Sequence, residues 1–271
     1  MKISTLNSWL TSGALLLSFV ALLSLSAISV AQTGKVSKKQ PASNNWTGLY
    51  AGLHLGYGMG NADTAIAALP DPATFVNLAN TTLHPGPNGV IYGGQFGYNL
   101  QANRLVYGLE ADLSASEMSQ TTNVTPIIQN NGTPLPGGGN LSAHQDTSRF
   151  GTMRARIGFA ATPRLLIYGT GGVAIARVNM SANTDSAPLG TEQYPAKAFD
   201  ARTGWVEGGG AEFALSRRWS VKAEYLHYDL GNFALTANPT IPFGSGSPNY
   251  QVRYTQSISA NLIKPGLNFR F

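Results

Sequence analysis

The sequence predicts an all-β protein, an eight-stranded antiparallel up-and-down transmembrane β-barrel with short periplasmic turns and long extracellular loops. Three observations support this prediction. Apolar residues recur at every second position in eight segments, which is the spacing of a strand with two unlike faces. The connections between these segments alternate between short and long, as in outer-membrane barrels. Only 11% of the residues are charged, against about 25% in an ordinary soluble protein.

The N-terminus has the features of a cleaved export signal. Lys2 gives it a positive start, and an apolar stretch follows from about residue 14 to residue 25. Ser29 and Ala31 are the small residues that a signal peptidase needs, so we expect cleavage after Ala31. The apolar stretch is shorter than the roughly 20 residues of a spanning helix, which disfavours a membrane anchor. The predicted organisation is a signal peptide over residues 1–31, a periplasmic linker over residues 32–45 and the barrel over residues 46–271.

The composition excludes several classes of function. The chain has no cysteine, so disulfide scaffolds, thiolate zinc sites and cysteine nucleophiles are excluded. Its net charge is +5, but much of the excess lies outside the predicted barrel, at Lys2 in the signal and at Lys35, Lys38 and Lys39 in the linker. The basic balance is therefore no indication of nucleic-acid binding, and we expect no nucleic-acid partner.

The strands differ in how clearly they alternate. In the three segments that begin at Leu49, Val90 and Leu105, every second residue is apolar and mostly glycine or polar residues lie between. Five further strands are predicted over about residues 149–161, 165–178, 203–215, 219–228 and 251–271. Segment 165–178 has apolar residues in both registers, which a bulge near Gly171 would explain. Pro265 predicts a second bulge, because proline cannot donate to the ladder.

The connections place the two ends of the barrel in different surroundings. Short turns are predicted at residues 101–104, 162–164 and 216–218. Long loops are predicted at residues 61–87, 116–146, 179–199 and 231–250. Because the short turns and both ends of the barrel segment lie at one end, this end is predicted to be periplasmic and the loops to be extracellular.

The large apolar side chains are predicted to face lipid. A soluble eight-stranded barrel such as a lipocalin also alternates, but it places apolar residues in the lumen. The lumen of eight strands is just wide enough to be filled by side chains, so glycines and a few charged residues suit it better than rows of Leu, Phe and Tyr. Aromatic residues near strand ends fit an interfacial girdle. The predicted interfacial aromatics are Trp46, Trp205 and Trp219.

The opposite face predicts a charge network in the lumen. Its members are Glu110, Asp112, Arg154, Arg156, Glu212, Lys222, Glu224, Lys264 and Arg270. We interpret this network as a salt-bridged plug rather than an ion path, because buried charges must pair to offset their desolvation. Strict alternation places Glu207 on the lipid face, unless a slip turns it inward. A subunit contact would explain an outward Glu207, so self-association is an open alternative.

Several segments resemble a known family. They are residues 45–52, 151–158, 168–174, 222–225 and 266–271. They are similar to the small outer-membrane β-barrel proteins of Gram-negative bacteria, and above all to the alphaproteobacterial surface proteins often labelled "porin family" or "outer membrane beta-barrel". The resemblance implies an OmpA-like eight-stranded membrane domain in the cell outer membrane. It also implies that the terminal aromatic Phe271 is the signal for the barrel-assembly machinery.

The expected function is structural. We expect the barrel to stabilise the outer membrane, display four long external loops and contact outer-membrane lipid and lipopolysaccharide. The alternative is a narrow porin or a small-ligand receptor, for example for heme, which some members of the family are described as binding. The sequence offers no clustered His/Tyr pair for heme and no metal spacing among its four histidines. No cofactor, metal site or catalytic residue is predicted, and the protein is not expected to be an enzyme. The residue types in segment 144–148 (HQDTS) are those of a hydrolase but are common in loops.

Overall fold

The computed structural model describes residues 45–69, 81–129, 131–134, 138–185, 193–240 and 251–271. The predicted signal peptide and all of the predicted linker except residue 45 lie outside the described residues. Within them, no helix is long and apolar enough to cross a membrane.

The described chain forms ten strands, eight of which make a closed ring. The strands are β1 (Gly48–Asn61), β2 (Thr64–Leu69), β3 (Thr81–Leu83), β4 (Asn88–Ala102), β5 (Leu105–Val124), β6 (Asn140–Thr162), β7 (Leu165–Asp185), β8 (Ala196–Ala214), β9 (Trp219–Ala237) and β10 (Gln251–Arg270). Chain neighbours from β4 to β10 pair antiparallel, and β1 pairs with both β4 and β10. The predicted eight-stranded antiparallel barrel is therefore confirmed.

The two short strands prolong the first hairpin of the ring. Along β10, β2 continues the register of β1 after an interruption at Ala62 and Asp63. β3 pairs with β2 in the same register in which β4 pairs with β1. The predicted loop 61–87 thus contains an extension of the first hairpin, and the closed barrel still has eight strands around its circumference.

The wall is longer than predicted at the end away from the termini. β5 ends only at Val124, and β6 begins already at Asn140. In the same way β7 ends at Asp185, β8 begins at Ala196 and β9 ends at Ala237. Much of the predicted loops 116–146, 179–199 and 231–250 is therefore strand. The prediction missed these parts because it required an apolar outer face. Here the alternation continues with its polarity reversed, so that mostly apolar residues face inward and Ser, Thr and Asn face outward.

Both bulges predicted from the sequence are wrong. β7 pairs with β8 in one register over the whole pair, through Gly171. Pro265 pairs with Ala223 of β9 without a shift. On the other side of β10, the pairing with β1 is interrupted for two residue pairs next to Pro265 and resumes in the same register. The interruption arises because the proline nitrogen has no hydrogen to donate. Register shifts lie elsewhere, at residues 115–118, 147–149, 160–162 and 257–259. The shifts at residues 115–118 and 147–149 fall where the outer face changes from apolar to polar.

Candidate functional site

The interior of the ring, at the level of its apolar outer band, contains eight charged side chains. They are Glu110, Asp112, Glu212 and Glu224 with Arg154, Arg156, Lys222 and Lys264, and each is at most 3% exposed. We call this set the ion network. Its four carboxylates and four cations balance, so it has no formal net charge. They come from β5, β6, β8, β9 and β10, because alternate positions of those strands point to one axis.

Arg154 is the centre of the ion network. Its Nη2 bonds Glu110 and lies 2.9 Å from Oδ2 of Asp112. Its Nη1 lies 3.0 Å from Oε1 of Glu224, and its Nε donates to Thr152 Oγ1 at 3.0 Å. One guanidinium therefore joins carboxylates from β5 and β9 across the barrel axis.

The other three cations complete the pairing. Lys222 Nζ lies 2.9 and 3.0 Å from the two carboxylate oxygens of Glu110. Lys264 Nζ lies 3.1 Å from Oδ1 of Asp112. Arg156 bonds Glu212 and also lies over the ring of Tyr168, with its Cζ 3.6 Å from the ring centroid. Every carboxylate of the network thus has at least one cation in contact.

Neutral polar residues that the sequence analysis did not single out hold the carboxylates in place. Tyr50 donates to Glu110 at 2.8 Å and Tyr168 donates to Glu224 at 3.0 Å. Ser220 donates to Glu212 at 2.6 Å, and Thr152 donates to Asp112 at 2.6 Å. With Asn268 of β10, which donates to Glu212 at 3.1 Å, they extend the bonding across the lumen. Strand alternation is the signal that could have found them, because each lies on the inward face of its strand.

Inward glycines provide the space for these side chains. A Cβ on Gly97 would overlap the phenol of Tyr50. A Cβ on Gly210 would lie 2.9 Å from the hydroxyl oxygen of Tyr168. The glycine-rich face of the sequence therefore accommodates the large residues that project from neighbouring strands.

Trp46 lies apart from its predicted position, and Arg270 faces the lumen as predicted but does not join the ion network. Trp46 was expected on the lipid interface, but it is 0% exposed and packs inside the barrel with Val106 and Leu166. Arg270 is excluded from the contacts of the ion network. It donates to the carbonyl oxygen of Asn45 and its Cζ lies 4.7 Å from the Trp46 ring centroid. The physical reason is that Trp46 precedes β1, so the chain can turn this ring across the open end of the lumen.

Beyond the ion network, towards the long hairpins, the interior becomes apolar. We call this part the outer core. It includes Ile66, Met118, Leu141, Phe150, Val178, Met180, Leu226, Tyr228, Val252 and Tyr254, all of them buried. The hydroxyl of Tyr254 bonds Thr184 at 2.8 Å and the carbonyl oxygen of Tyr194 at 2.7 Å. Burial raises the pKa of Tyr254 to about 12. The outer core thus closes the lumen a second time.

The remaining singled-out residues lie on the outer surface. Trp205 and Trp219 are each 45% exposed there, and Phe271 is exposed at the chain end. Trp219 packs edge-on against Phe269 at the end with the short turns. Glu207 is exposed, and β8 keeps one register with both neighbours, so the alternative of an inward slip is wrong. The interfacial role of the two tryptophans and the assembly role of Phe271 remain predictions.

The four histidines lie on different parts of the fold. His144 Nδ1 bonds Thr121 Oγ1 at 2.9 Å, so the histidine of segment 144–148 is engaged away from Ser148. His54 is inside the barrel and bonds Gln95 and Ser114. Over the described ranges, no group of three or more His, Cys, Asp or Glu residues is arranged to hold a metal ion.

Comparison with known proteins identifies the family of this chain. Residues 18–271 match the family model described as "Outer membrane protein beta-barrel domain". The chain is 33% identical over 231 residues to the 31 kDa outer-membrane immunogenic protein of Brucella melitensis, covering 84% of each chain. It is 26% identical over 184 residues to the 22 kDa outer membrane protein of Rhizobium leguminosarum, covering 66% of each. The crystal structure of OprG from Pseudomonas aeruginosa aligns with 84% of this chain and 98% of that chain, at 14% identity and a TM-score of 0.48. The chain therefore belongs to the outer membrane protein beta-barrel domain family and is a protein of the cell outer membrane.

Proposed function

We propose that this protein is a closed structural barrel, which stabilises the outer membrane and displays its external hairpins to the surroundings. The observation behind the proposal is the burial of the ion network, whose eight charged side chains are each at most 3% exposed. Charged groups along a water-filled pore would be solvated. Here they are bonded to one another, and the outer core and Trp46 fill the lumen on either side.

Bilayer recording tests the closed lumen. We expect the purified barrel to give at most small, rare openings, because an ion must break several buried pairs to pass. A large steady conductance would contradict a closed lumen and favour the narrow porin.

A strain without the protein is expected to lose detergent resistance. Deleting the external hairpins separates the receptor alternative, since a receptor would lose ligand uptake.

The rim of the apolar band supports lipopolysaccharide as a partner. Arg149 of β6 and Arg177 of β7 are directly opposite on the outer face, just beyond the outward Ile175. Like charges in this position destabilise a sheet unless an anion lies between them. Arg177 also lies over the ring of Phe199, with its Cζ 5.4 Å from the centroid. In this proposal a phosphate group of an outer-leaflet glycolipid binds between the two guanidinium groups.

Binding of lipid A with and without its phosphates tests this contact. For the purified barrel in neutral micelles, R149Q and R177Q are each expected to weaken binding of phosphorylated lipid A by about tenfold, the value of one charge-assisted hydrogen bond. R217Q and R218Q, at the opposite end, are the matched controls. Equal binding by all variants, or binding that does not depend on the phosphates, would contradict the proposal.

The proposal includes no catalysis. The relatives compared above are named as outer-membrane or immunogenic proteins, and none of their names describes an enzyme.

The proposed partner during biogenesis is the barrel-assembly machinery, which would recognise Phe271. Replacing Phe271 by Gln is expected to slow assembly into the outer membrane, which the fraction of heat-modifiable protein on a gel would measure.

A further inference from the structure

One part of the lipid-facing surface is polar. Glu207 of β8 is directly opposite His227 of β9, and His227 is directly opposite Asn261 of β10. The three side chains lie on the outer face, because their inward neighbours Val206, Leu226 and Leu262 are buried. We call this row the polar row.

Glu207 lies within the apolar band, whereas His227 and Asn261 lie at its outer edge, because the next outward residues of β9 and β10 are Asp229 and Ser259. Glu207 is opposite Gly171 of β7, and two further outward residues of β7, Val173 and Ile175, continue the band beyond that level. On β8, Trp205 lies beyond Glu207 on the same face. An ionisable side chain at this depth is costly in hydrocarbon and is usually functional.

The bonding within the row leaves an acid and a base available. Asn261 Oδ1 accepts hydrogen bonds from Tyr225 at 2.6 Å and from His227 Nδ1 at 3.0 Å. Since Nδ1 is the donor here, Nε2 of His227 points away from this pair. Within the described part of the chain, Glu207 has neither a hydrogen bond nor an ion pair. The outer face therefore presents an unpaired carboxylate beside an imidazole whose second nitrogen is unused.

Most outward residues of β7, β8 and β9 just on the periplasmic side of the row are small, with Tyr225 as the large exception. The small ones are Gly169, Gly171, Gly209, Ala211 and Ala223. On the opposite wall, by contrast, β5 presents Leu109 and Leu113, which are 57% and 75% exposed. Small residues let two membrane-embedded backbones approach closely, and polar groups between them then bond out of reach of lipid.

We infer that the outer face of β8 and β9 is the contact between two copies of this barrel. In a two-fold pair, β8 of one copy faces β9 of the other. The carboxyl group of Glu207 and Nε2 of His227 of the partner subunit then share one proton in a hydrogen bond, and the symmetric contact forms on the other side of the axis. The face is self-complementary because it holds both the acid and the base, which is why the occupant is a second copy.

Cysteine cross-linking in outer membranes tests the contact. The chain has no cysteine, so single replacements give an unambiguous signal. Under copper-phenanthroline oxidation we expect cross-linked dimers from A223C, which lies beside the row on β9, and none above background from A111C. Ala111 is also a lipid-facing alanine, but it lies on β5, on the far side of the ring. Equal cross-linking at the two positions, or none at either, would overturn the inference.

Replacing Glu207 or His227 tests whether these two side chains bond between two copies or within one barrel. E207L and H227L are each expected to weaken dimerisation of the full barrel in phosphatidylcholine bilayers by about tenfold, as the loss of two symmetric membrane hydrogen bonds implies. Single-molecule photobleaching measures the monomer fraction, and heat-modifiability shows that each variant is folded. A wild-type barrel that remains monomeric would show that Glu207 is paired within its own chain, and the inference would be wrong.

Discussion

The two halves of the barrel wall have opposite polarity. At the level of the ion network, the wall presents Leu, Phe and Tyr outward and ionic side chains inward. At the level of the outer core, the same strands present Ser, Asn and Arg outward and mostly apolar residues inward. On β7 the outer face changes between Ile175 and Arg177, while the inner face changes between Gly172 and Ala174, which is buried. No break in the pairing of β7 with β8 accompanies the change.

The difference shows that polarity follows the solvent on each side of the wall rather than the fold. Where acyl chains surround the barrel, the outer face must be apolar, and the balanced charges fill the lumen. Where water surrounds it, the relation is that of a soluble barrel with an apolar interior. One antiparallel ring satisfies both conditions, because the side-chain period of two is independent of which face is apolar.

The largest expected effect is in the ion network. R154L removes the cation that contacts Glu110, Asp112 and Glu224. Because it leaves three carboxylates with fewer partners in a closed interior, we expect a loss of about 3–5 kcal/mol in the free energy of unfolding. Urea unfolding of the barrel refolded in phosphatidylcholine bilayers measures it.

R149L is the matched control for R154L. It removes the same residue type from the same strand, but on the outer rim, where a change of about 0.5 kcal/mol or less is expected in neutral lipid. Equal losses for the two variants would show that the network contributes no more than the rim does. The contrast between an ionic interior and a solvated surface would then be unsupported.

The next effect is on the lipid face. L109R places a charge on the outward side of β5, four residues from the start of the strand, and we expect it to cost about 2–4 kcal/mol if it reaches the bilayer midplane. N183R makes a similar charge on the outer face beside the outer core, where water solvates it, and it should be nearly neutral. A similar cost for both arginines in the same unfolding measurement would mean that the apolar band does not end where the outer face turns polar.

Much of this architecture could be predicted from the sequence. The eight strands, their antiparallel order and the inward position of Glu110 and Arg154 follow from a period of two and from the requirement that backbone groups be paired in hydrocarbon. The outer core could not be predicted in the same way, because the criterion was an apolar outer face. Residues such as Met118 and Leu141 face inward there, so a criterion of outward apolar residues assigns their segments to the long loops.

The positions of Trp46 and Glu207 show a second kind of limit. The position of Trp46 depends on how the chain enters the ring, which no periodicity determines. For Glu207, the sequence placed the residue on the outer face but also allowed a slip at the neighbouring glycines. Only the continuous register with β7 and β9 decides between these alternatives.

The smallest expected effects come from two neighbouring residues in the outer part of β5. Met118 is 2% exposed and fills the outer core, whereas Ser119 is exposed on the other face. M118A is expected to cost about 2 kcal/mol, at the low end for a buried methionine because the extended hairpin can relax around the cavity. S119L is expected to change the stability by about 0.5 kcal/mol or less. Limited proteolysis of the external hairpins measures both, because the outer core can open while the membrane part stays folded. Faster cleavage of M118A than of S119L would support an interior packed like that of a soluble barrel, and the reverse order would show that Ser119 rather than Met118 faces the interior.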